Sequence, residues 1–257
     1  MDKSPRIVAI IPARYGSTRF PGKPLALIAG KPMIQHVYER VIASKKVNEV
    51  FVATDNRRIA EAVASFGGKS VMTSSSLKSG TDRCAAVARK KRADIVVNIQ
   101  GDEPVISPKT IDAAISVLLK SKKNVMSTAA VMVHDHDILF SGNVVKVVTD
   151  MSGNALYFSR NTIPFLRNVH QNDYLTHHRF LKHLGIYVYR NNFLQKLTVL
   201  KETPLENAEK LEQLRVLENG YKIKVAIVDD DTISVDVPSD IIAVEDFLMS
   251  QSKQRGT

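Results

Sequence analysis

The first residues to show a pattern, Ile7-Val8-Ala9-Ile10-Ile11, form a continuous apolar run that reads as a strand buried on both faces. A loop bearing Gly16, Pro21, Gly22 and Pro24 follows, all of them helix breakers. Pro32 then suits a first helical position, and Ile34, Val37, Tyr38, Val41 and Ile42 recur at the spacing of one helix face. Val50 to Ala53 predicts a second strand, and Ile59, Val63 and Phe66 the stripe of a second helix that Gly67-Gly68 stops. Ile95-Val96-Val97-Asn98-Ile99 predicts a third strand. After it come the polar turn Gln100-Gly101-Asp102-Glu103-Pro104 and a helix from near Pro108, with Ile111, Ala114, Ile115, Leu118 and Leu119 inward. Apolar strands separated by helices mark a mainly parallel sheet covered on both faces. Ligands of such sheets bind beyond the carboxyl ends of the strands, where Arg14 and Asp102 fall.

From Val125 to Tyr189 strand patterns dominate: Val125 to Val133, Val144 to Val148, Ala155 to Phe158 across a Ser152-Gly153-Asn154 turn, and Gly185 to Tyr189. Thr203 with Glu206 forms a capping box and Pro204 fits the first helical position. Leu211, Leu214 and Leu217 then carry one helix to an Asn219-Gly220 stop. Lys222 to Val228 predicts a last strand, Asp229 to Pro238 a polar turn, and Ile241 to Leu248 a closing helix before a polar tail. The expectation is a single α/β domain over 1–257, in which 125–190 is a β-rich, antiparallel extension.

At 257 residues, with 44% hydrophobic and 24% charged residues, the chain can bury a sizeable core and is neither a stapled miniature nor a low-complexity tract. Its longest apolar runs fall short of the roughly 18 to 20 residues of a membrane span. The apolar run near the amino terminus is too short for a signal-peptide core, so a cytoplasmic location is expected. Cys84 is the only cysteine; it forms no internal disulfide and reads as an inert thiol of a reducing compartment. A net charge of +10 favours anionic partners without choosing among nucleotides, acidic metabolites, nucleic acid and membrane surfaces. Only 6% aromatic residues, no Trp and no basic stripe interleaved with stacking rings argue against nucleic acid.

The loop Pro12-Ala13-Arg14-Tyr15-Gly16-Ser17-Thr18-Arg19-Phe20-Pro21-Gly22-Lys23-Pro24-Leu25 carries the chemistry of interest. Its glycine spacing is one residue too long for a Walker A motif, and Pro24 stands where that motif needs Ser or Thr. What remains is a glycine-bearing loop with Arg14, Arg19 and Lys23, suited to a triphosphate. Asp102 and Asp236 end distant strands and could share a hard cation, or be ordinary turn residues. Asp229-Asp230-Asp231 reads as a solvated loop. So do Lys90-Lys91-Arg92 and Lys120, Lys122 and Lys123, at helix ends. His134-Asp135-His136-Asp137 and His177-His178 lack the cysteine partners and the geometry of a zinc site.

Taken together, Ile11 to Arg19 with Pro21-Gly22-Lys23-Pro24-Leu25 resembles the signature of the 3-deoxy-manno-octulosonate cytidylyltransferase family, the CMP-Kdo synthetases. Further blocks match in order: Val52-Ala53-Thr54-Asp55, Ser79-Gly80-Thr81-Asp82-Arg83, Val97 to Pro104, Ala155 to Arg160, His183-Leu184-Gly185-Ile186-Tyr187 and Leu211 to Arg215. The likeness spans nearly the whole chain and implies a three-layer α/β/α nucleotide-sugar transferase fold. It implies transfer of CMP from CTP to the anomeric hydroxyl of Kdo for lipopolysaccharide assembly, with release of pyrophosphate, a requirement for Mg2+, and a homodimer. It nominates Ala13, Arg14, Arg19, Lys23, Thr54, Asp55, Ser79, Gly80 and Arg83 for CTP, and Asp102 and Asp236 for the metal. Arg14, Lys23, Asp102 and Asp236 would be the catalytic set. For the sugar acid it nominates Gln100, Arg160, His183, Tyr187, Glu212 and Gln213, although Tyr187 also fits a packed strand and Glu212 a solvated helix face. Family patterns carry Glu in place of Asp82, which is left without a role. Neighbouring readings are a cytidylyltransferase for sialic acid or amino-Kdo, or a non-catalytic basic nucleic-acid-binding protein.

Overall fold

The computed structural model describes residues 4–16 and 20–255, the side chains of 252–255 excepted. The chain divides into two units, Met1–Asp112 with Thr232–Thr257, and Ala113–Asp231. The first runs β1 (Ile7–Ala13), a short hairpin of β2 (Leu27–Ile28) and β3 (Lys31–Pro32), α1 (Met33–Ile42), β4 (Glu49–Thr54), α2 (Arg57–Ser65), β5 (Ser70–Met72), α3 (Gly80–Lys91) and β6 (Ile95–Ile99). Helix α4 (Pro108–Leu119) carries the chain onward into the second unit. That unit holds β7 (Met126–Met132), α5 (His136–Phe140), β8 (Lys146–Thr149), β9 (Ala155–Ser159), α6 (Tyr174–His177), β10 (Leu181–Arg190), α7 (Asn191–Leu197), α8 (Pro204–Glu209), α9 (Gln213–Glu218) and β11 (Ile223–Val228). Helix α10 (Asp240–Arg255) belongs to the first unit again.

The architecture is α/β, with a mostly parallel sheet and helices on both faces. In the first unit β1 pairs in parallel with β4 and β6, and β4 with β5; Ile10 lies opposite both Phe51 and Asn98. The apolar run that predicted β1 is buried throughout, as a strand covered on both faces must be. Helix α1 buries Met33, Ile34, Val37, Tyr38 and Val41. Two residues expected inward are not: Ile42 is 61% and Leu119 37% exposed. Each closes its helix about a quarter-turn from the centre of its stripe, which is where the eighth residue along falls at 3.6 residues per turn. The span expected as a polar turn, Asp229 to Pro238, holds the fully buried Val235, which packs with Ile28, Met33, Val105 and Val244.

In the second unit β7 pairs antiparallel with β10 and in parallel with β11; β8 and β9 form a hairpin joined to β10 by Lys146 opposite Lys182. The register of β10 shifts between Leu184 and Tyr187. Val133, Leu139, Tyr174 and Phe180 form a smaller core beside these strands. The single helix expected from Thr203 to Asn219 is two, because Lys210 adopts a left-handed conformation at φ 54°. Its N–H and that of Leu211 both bond back to the Glu206 carbonyl, closing α8. The break moves the buried face to Leu211, Gln213, Leu214 and Val216. No helix among the described residues is long and apolar enough to cross a membrane.

Candidate active site

Beyond the carboxyl end of β1, the left-handed Gly22 (φ 72°) donates its N–H to the Tyr15 carbonyl at 2.9 Å and turns the loop into a single helical turn, Lys23–Leu25. That turn aims Lys23 at Asp102, whose carboxylate its ammonium meets at 2.6 Å; Asp236 lies 3.8 Å away on the same cation, and the Val235 carbonyl accepts at 2.8 Å. The two carboxylates, about half the chain apart in sequence, come to one place because the Val235 N–H donates to the Asp102 carbonyl at 2.9 Å and the Thr232 hydroxyl to the Glu103 carboxylate at 2.6 Å. Asp240 fixes the other side, its carboxylate accepting the N–H groups of Asp236 and Val237. Three nominated residues are thus brought together, the two carboxylates converging on the one ammonium.

Around this cluster the remaining nucleotide candidates occupy strand ends and the start of α3. Ala13 is buried at the end of β1. Arg14 donates to the Leu77 carbonyl at 2.7 Å, holding the segment that leads into Ser79. Ser79 caps α3: its hydroxyl accepts from the Asp82 N–H at 3.0 Å and the Asp82 carboxylate accepts from the Ser79 N–H at 3.1 Å. The role left open for Asp82 is therefore to cap the helix. Gly80 follows, where a Cβ would stand 3.2 Å from Pro12 and 3.8 Å from the Gln100 amide oxygen; only glycine gives this approach without displacement. Gln100 rests its amide against Asn98 at 3.5 Å. Thr54, Asp55 and Arg83 form a buried strut: the fully buried guanidinium pairs with Asp55 at 2.8 Å and bonds the Thr73 hydroxyl, while Thr73 donates to the Thr54 carbonyl. Arg19 lies outside the described residues.

The sugar-acid candidates other than Gln100 fall in the second unit. Burial holds His183 neutral, pulling its imidazole down to about 3. Its Nε2 meets the Thr128 hydroxyl at 2.8 Å, and that hydroxyl donates to the Ile186 carbonyl at 2.6 Å, so His183 donates through Nε2 and keeps Nδ1 as an acceptor. Its ring stands 5.3 Å from that of Tyr187, whose hydroxyl donates to the Gln213 amide oxygen at 3.0 Å. Burial, and after it the charge of Glu212, push the Tyr187 phenol upward, so it remains a donor. The Gln213 amide nitrogen is buried without a hydrogen-bond partner, a donor that a ligand hydroxyl would satisfy. Glu212 sits at the N-cap of α9, placed there by the break at Lys210.

Arg160 follows β9, its Nε donating to the Glu209 carbonyl at 2.8 Å and one terminal nitrogen to the Gly142 carbonyl at 3.3 Å. Two residues here escaped the sequence reading. Glu209 accepts from the Ser159 hydroxyl and the Arg160 N–H, and the fully buried Lys146 donates to the carbonyls of Ser141, Val144 and Arg160. A charged residue in an otherwise apolar strand pattern was the available signal. Elsewhere, Asp135 caps α5, and Asp231 of the acidic run pairs with Lys182 at 2.9 Å.

A family model described as cytidylyltransferase matches residues 8–223. A protein of Geotalea daltonii named 3-deoxy-manno-octulosonate cytidylyltransferase is 52% identical, covering 98% of this chain and 100% of the relative. One of the same name from Geobacter metallireducens is 53% identical, covering 95% and 98%. Among solved structures, CMP:2-keto-3-deoxy-manno-octonic acid synthetase complexed with CTP matches with a TM-score of 0.88 at 43% identity, over 96% of this chain and 99% of that one. The 4-diphosphocytidyl-2C-methyl-D-erythritol synthase of Anaerococcus prevotii, at 14% identity and a TM-score of 0.61 over 95% and 96%, shares the fold.

Proposed function

We infer the mechanism from one premise: the chain belongs to the 3-deoxy-manno-octulosonate cytidylyltransferase family. It transfers CMP from CTP to Kdo. The anomeric hydroxyl oxygen of Kdo bonds to the α-phosphorus of CTP, the bond to the bridging oxygen of the β-phosphate breaks, pyrophosphate leaves and the hydroxyl proton passes to solvent. Such a substitution needs charge neutralisation and in-line positioning, and no covalent nucleophile from the protein.

The observation that carries the assignment of residues is the Lys23 ammonium held between Asp102 and Asp236. Carboxylates that already face one cation are the hard oxygen donors magnesium takes, with phosphate oxygens and water completing the set. Asp102 and Asp236 would hold that ion, and when bound it would neutralise charge on the phosphates. Arg14 and Lys23 then face the triphosphate, to which the family resemblance also assigns Arg19, and Ala13, Ser79 and Gly80 face the nucleoside, while Thr54, Asp55 and Arg83 hold the strand end beneath it. In the second unit Arg160 takes the sugar-acid carboxylate through its terminal N–H groups. His183, Tyr187, Glu212 and Gln213 bond the hydroxyls; neutral His183 and protonated Tyr187 act there as fixed hydrogen-bonding groups. A cytoplasmic homodimer serving lipopolysaccharide assembly belongs to the same reading, supported by the family resemblance.

Pyrophosphate release with each of the four nucleoside triphosphates, with and without Kdo, tests it. The expected result is release with CTP, Kdo and magnesium together, abolished in Asp102→Ala. Turnover of sialic acid or amino-Kdo in preference to Kdo would replace the acceptor, and silence with every triphosphate would remove the enzyme reading.

A further inference from the structure

Lys146 is fully buried on β8, and its ammonium is shared among three backbone carbonyls: Val144 at 2.7 Å, Ser141 at 2.8 Å and Arg160 at 2.6 Å. Lysine is among the residues least often fully buried, and it tolerates this only where the charge is fully hydrogen-bonded. Lys146 lies opposite Ser159 in the β8–β9 hairpin, so the two side chains share a face. On that face Ser159 donates to the Glu209 carboxylate at 2.7 Å, and the other oxygen of Glu209 accepts the Arg160 N–H at 2.9 Å. The Glu209 carbonyl, freed from helical bonding by the left-handed Lys210, accepts from Arg160 Nε.

The backbone N–H, the backbone carbonyl and the Nε of Arg160 are therefore each held, the first and last by Glu209 and the second by Lys146. We propose that Lys146 and Glu209 are positioning residues for recognition of the acidic sugar: a buried cation and a half-buried carboxylate fix the backbone of Arg160, and the Glu209 carbonyl fixes its guanidinium plane, so that its terminal N–H groups meet the substrate carboxylate. The inference rests on the reading that Arg160 takes that carboxylate. Its consequence is selective. Loss of either residue loosens Arg160 and weakens the acid, while the triphosphate cluster of Lys23, Asp102 and Asp236 lies in the other unit.

The test is a double-mutant cycle of Lys146→Met with Arg160→Ala, reading KM for Kdo, KM for CTP and kcat, with thermal unfolding as a check on folding. The expected result is a rise in KM for Kdo of about tenfold to a hundredfold in Lys146→Met. KM for CTP stays unchanged, and the double variant is no worse than Arg160→Ala alone. A Lys146→Met effect that multiplies fully with Arg160→Ala, or that raises both KM values equally, overturns the proposal while leaving the carboxylate reading intact. Arg160→Ala with an unchanged KM for Kdo overturns both through the premise. Should Lys146→Met not fold, Glu209→Gln enters the same cycle, since it keeps the shape of the side chain and removes the charge that Ser159 and the Arg160 N–H face.

Discussion

Lys23 shows how far single residues can be read. Its glycine-framed loop and the two strand-end carboxylates were visible as types and spacings, and the structure puts the three on one another. In Lys23→Met the loss of a positioned cation at the phosphates should lower kcat/KM by about a hundredfold or more. The ion pair is partly exposed, with 28% of Asp102 and 43% of Asp236 in solvent, so stability should change by less than about 1 kcal/mol. Pyrophosphate release and thermal unfolding of the same preparation separate the two; a variant that unfolds early would make Lys23 a structural strut. What stayed illegible at this scale were the partners of partners. Glu103, Thr232 and Val235 bring Asp236 to Asp102 through contacts that no local pattern encodes, and Glu209 looks like any helix-end acid until Arg160 is placed against it.

The same helix stop occurs twice at the scale of elements, once readable and once hidden. After α2, Gly67 adopts φ 77° and the Gly68 N–H returns to the Val63 carbonyl; after α8, Lys210 adopts φ 54° and the Leu211 N–H returns to the Glu206 carbonyl. Glycine announces the first, while a lysine in the middle of an otherwise periodic pattern hides the second. Arg92, left-handed at φ 50° beyond α3, repeats the second case. An L-residue here carries a conformational cost of about 1 kcal/mol that glycine does not. Lys210→Gly should accordingly raise stability by up to about 1 kcal/mol with KM for Kdo unchanged, since the break is what places Glu212 and the Glu209 carbonyl. Gly67→Ala should lose about 1 kcal/mol although a Cβ there would meet nothing within 4 Å. Denaturant midpoints measure both, and equal effects from the two substitutions would show that packing, not backbone conformation, sets these stops.

Across the whole molecule, the parallel α/β architecture was legible because buried strands and covering helices write their periods directly into the sequence, whereas the closure of Thr232–Thr257 on the first unit depends on pairings over more than a hundred residues. Burial of ionisable groups is likewise a property of the completed fold, and its signature is pH dependence. Burial lowers the His183 imidazole from its ordinary 6.5 to about 3, so between those values the unfolded chain binds a proton that the native state refuses. Stability therefore falls as pH drops through that window. Lys146, lowered from 10.5 to about 8 by burial, acts at the other end. There too the unfolded chain binds the proton more tightly, so its burial cost is present below pH 8 and is relieved as pH rises towards 10.5, even as the three carbonyls hold its charged form. Carboxylates titrate in the acid window as well, so the contribution of His183 is read as a difference. The denaturant midpoint of the native protein should drop more steeply from pH 6.5 to 4 than that of His183→Asn, which keeps a donor for Thr128 and titrates nowhere in the range. Parallel slopes would mean that His183 takes up its proton in the folded state, and with that the Nε2 bond to Thr128 would no longer leave Nδ1 as an acceptor for the sugar.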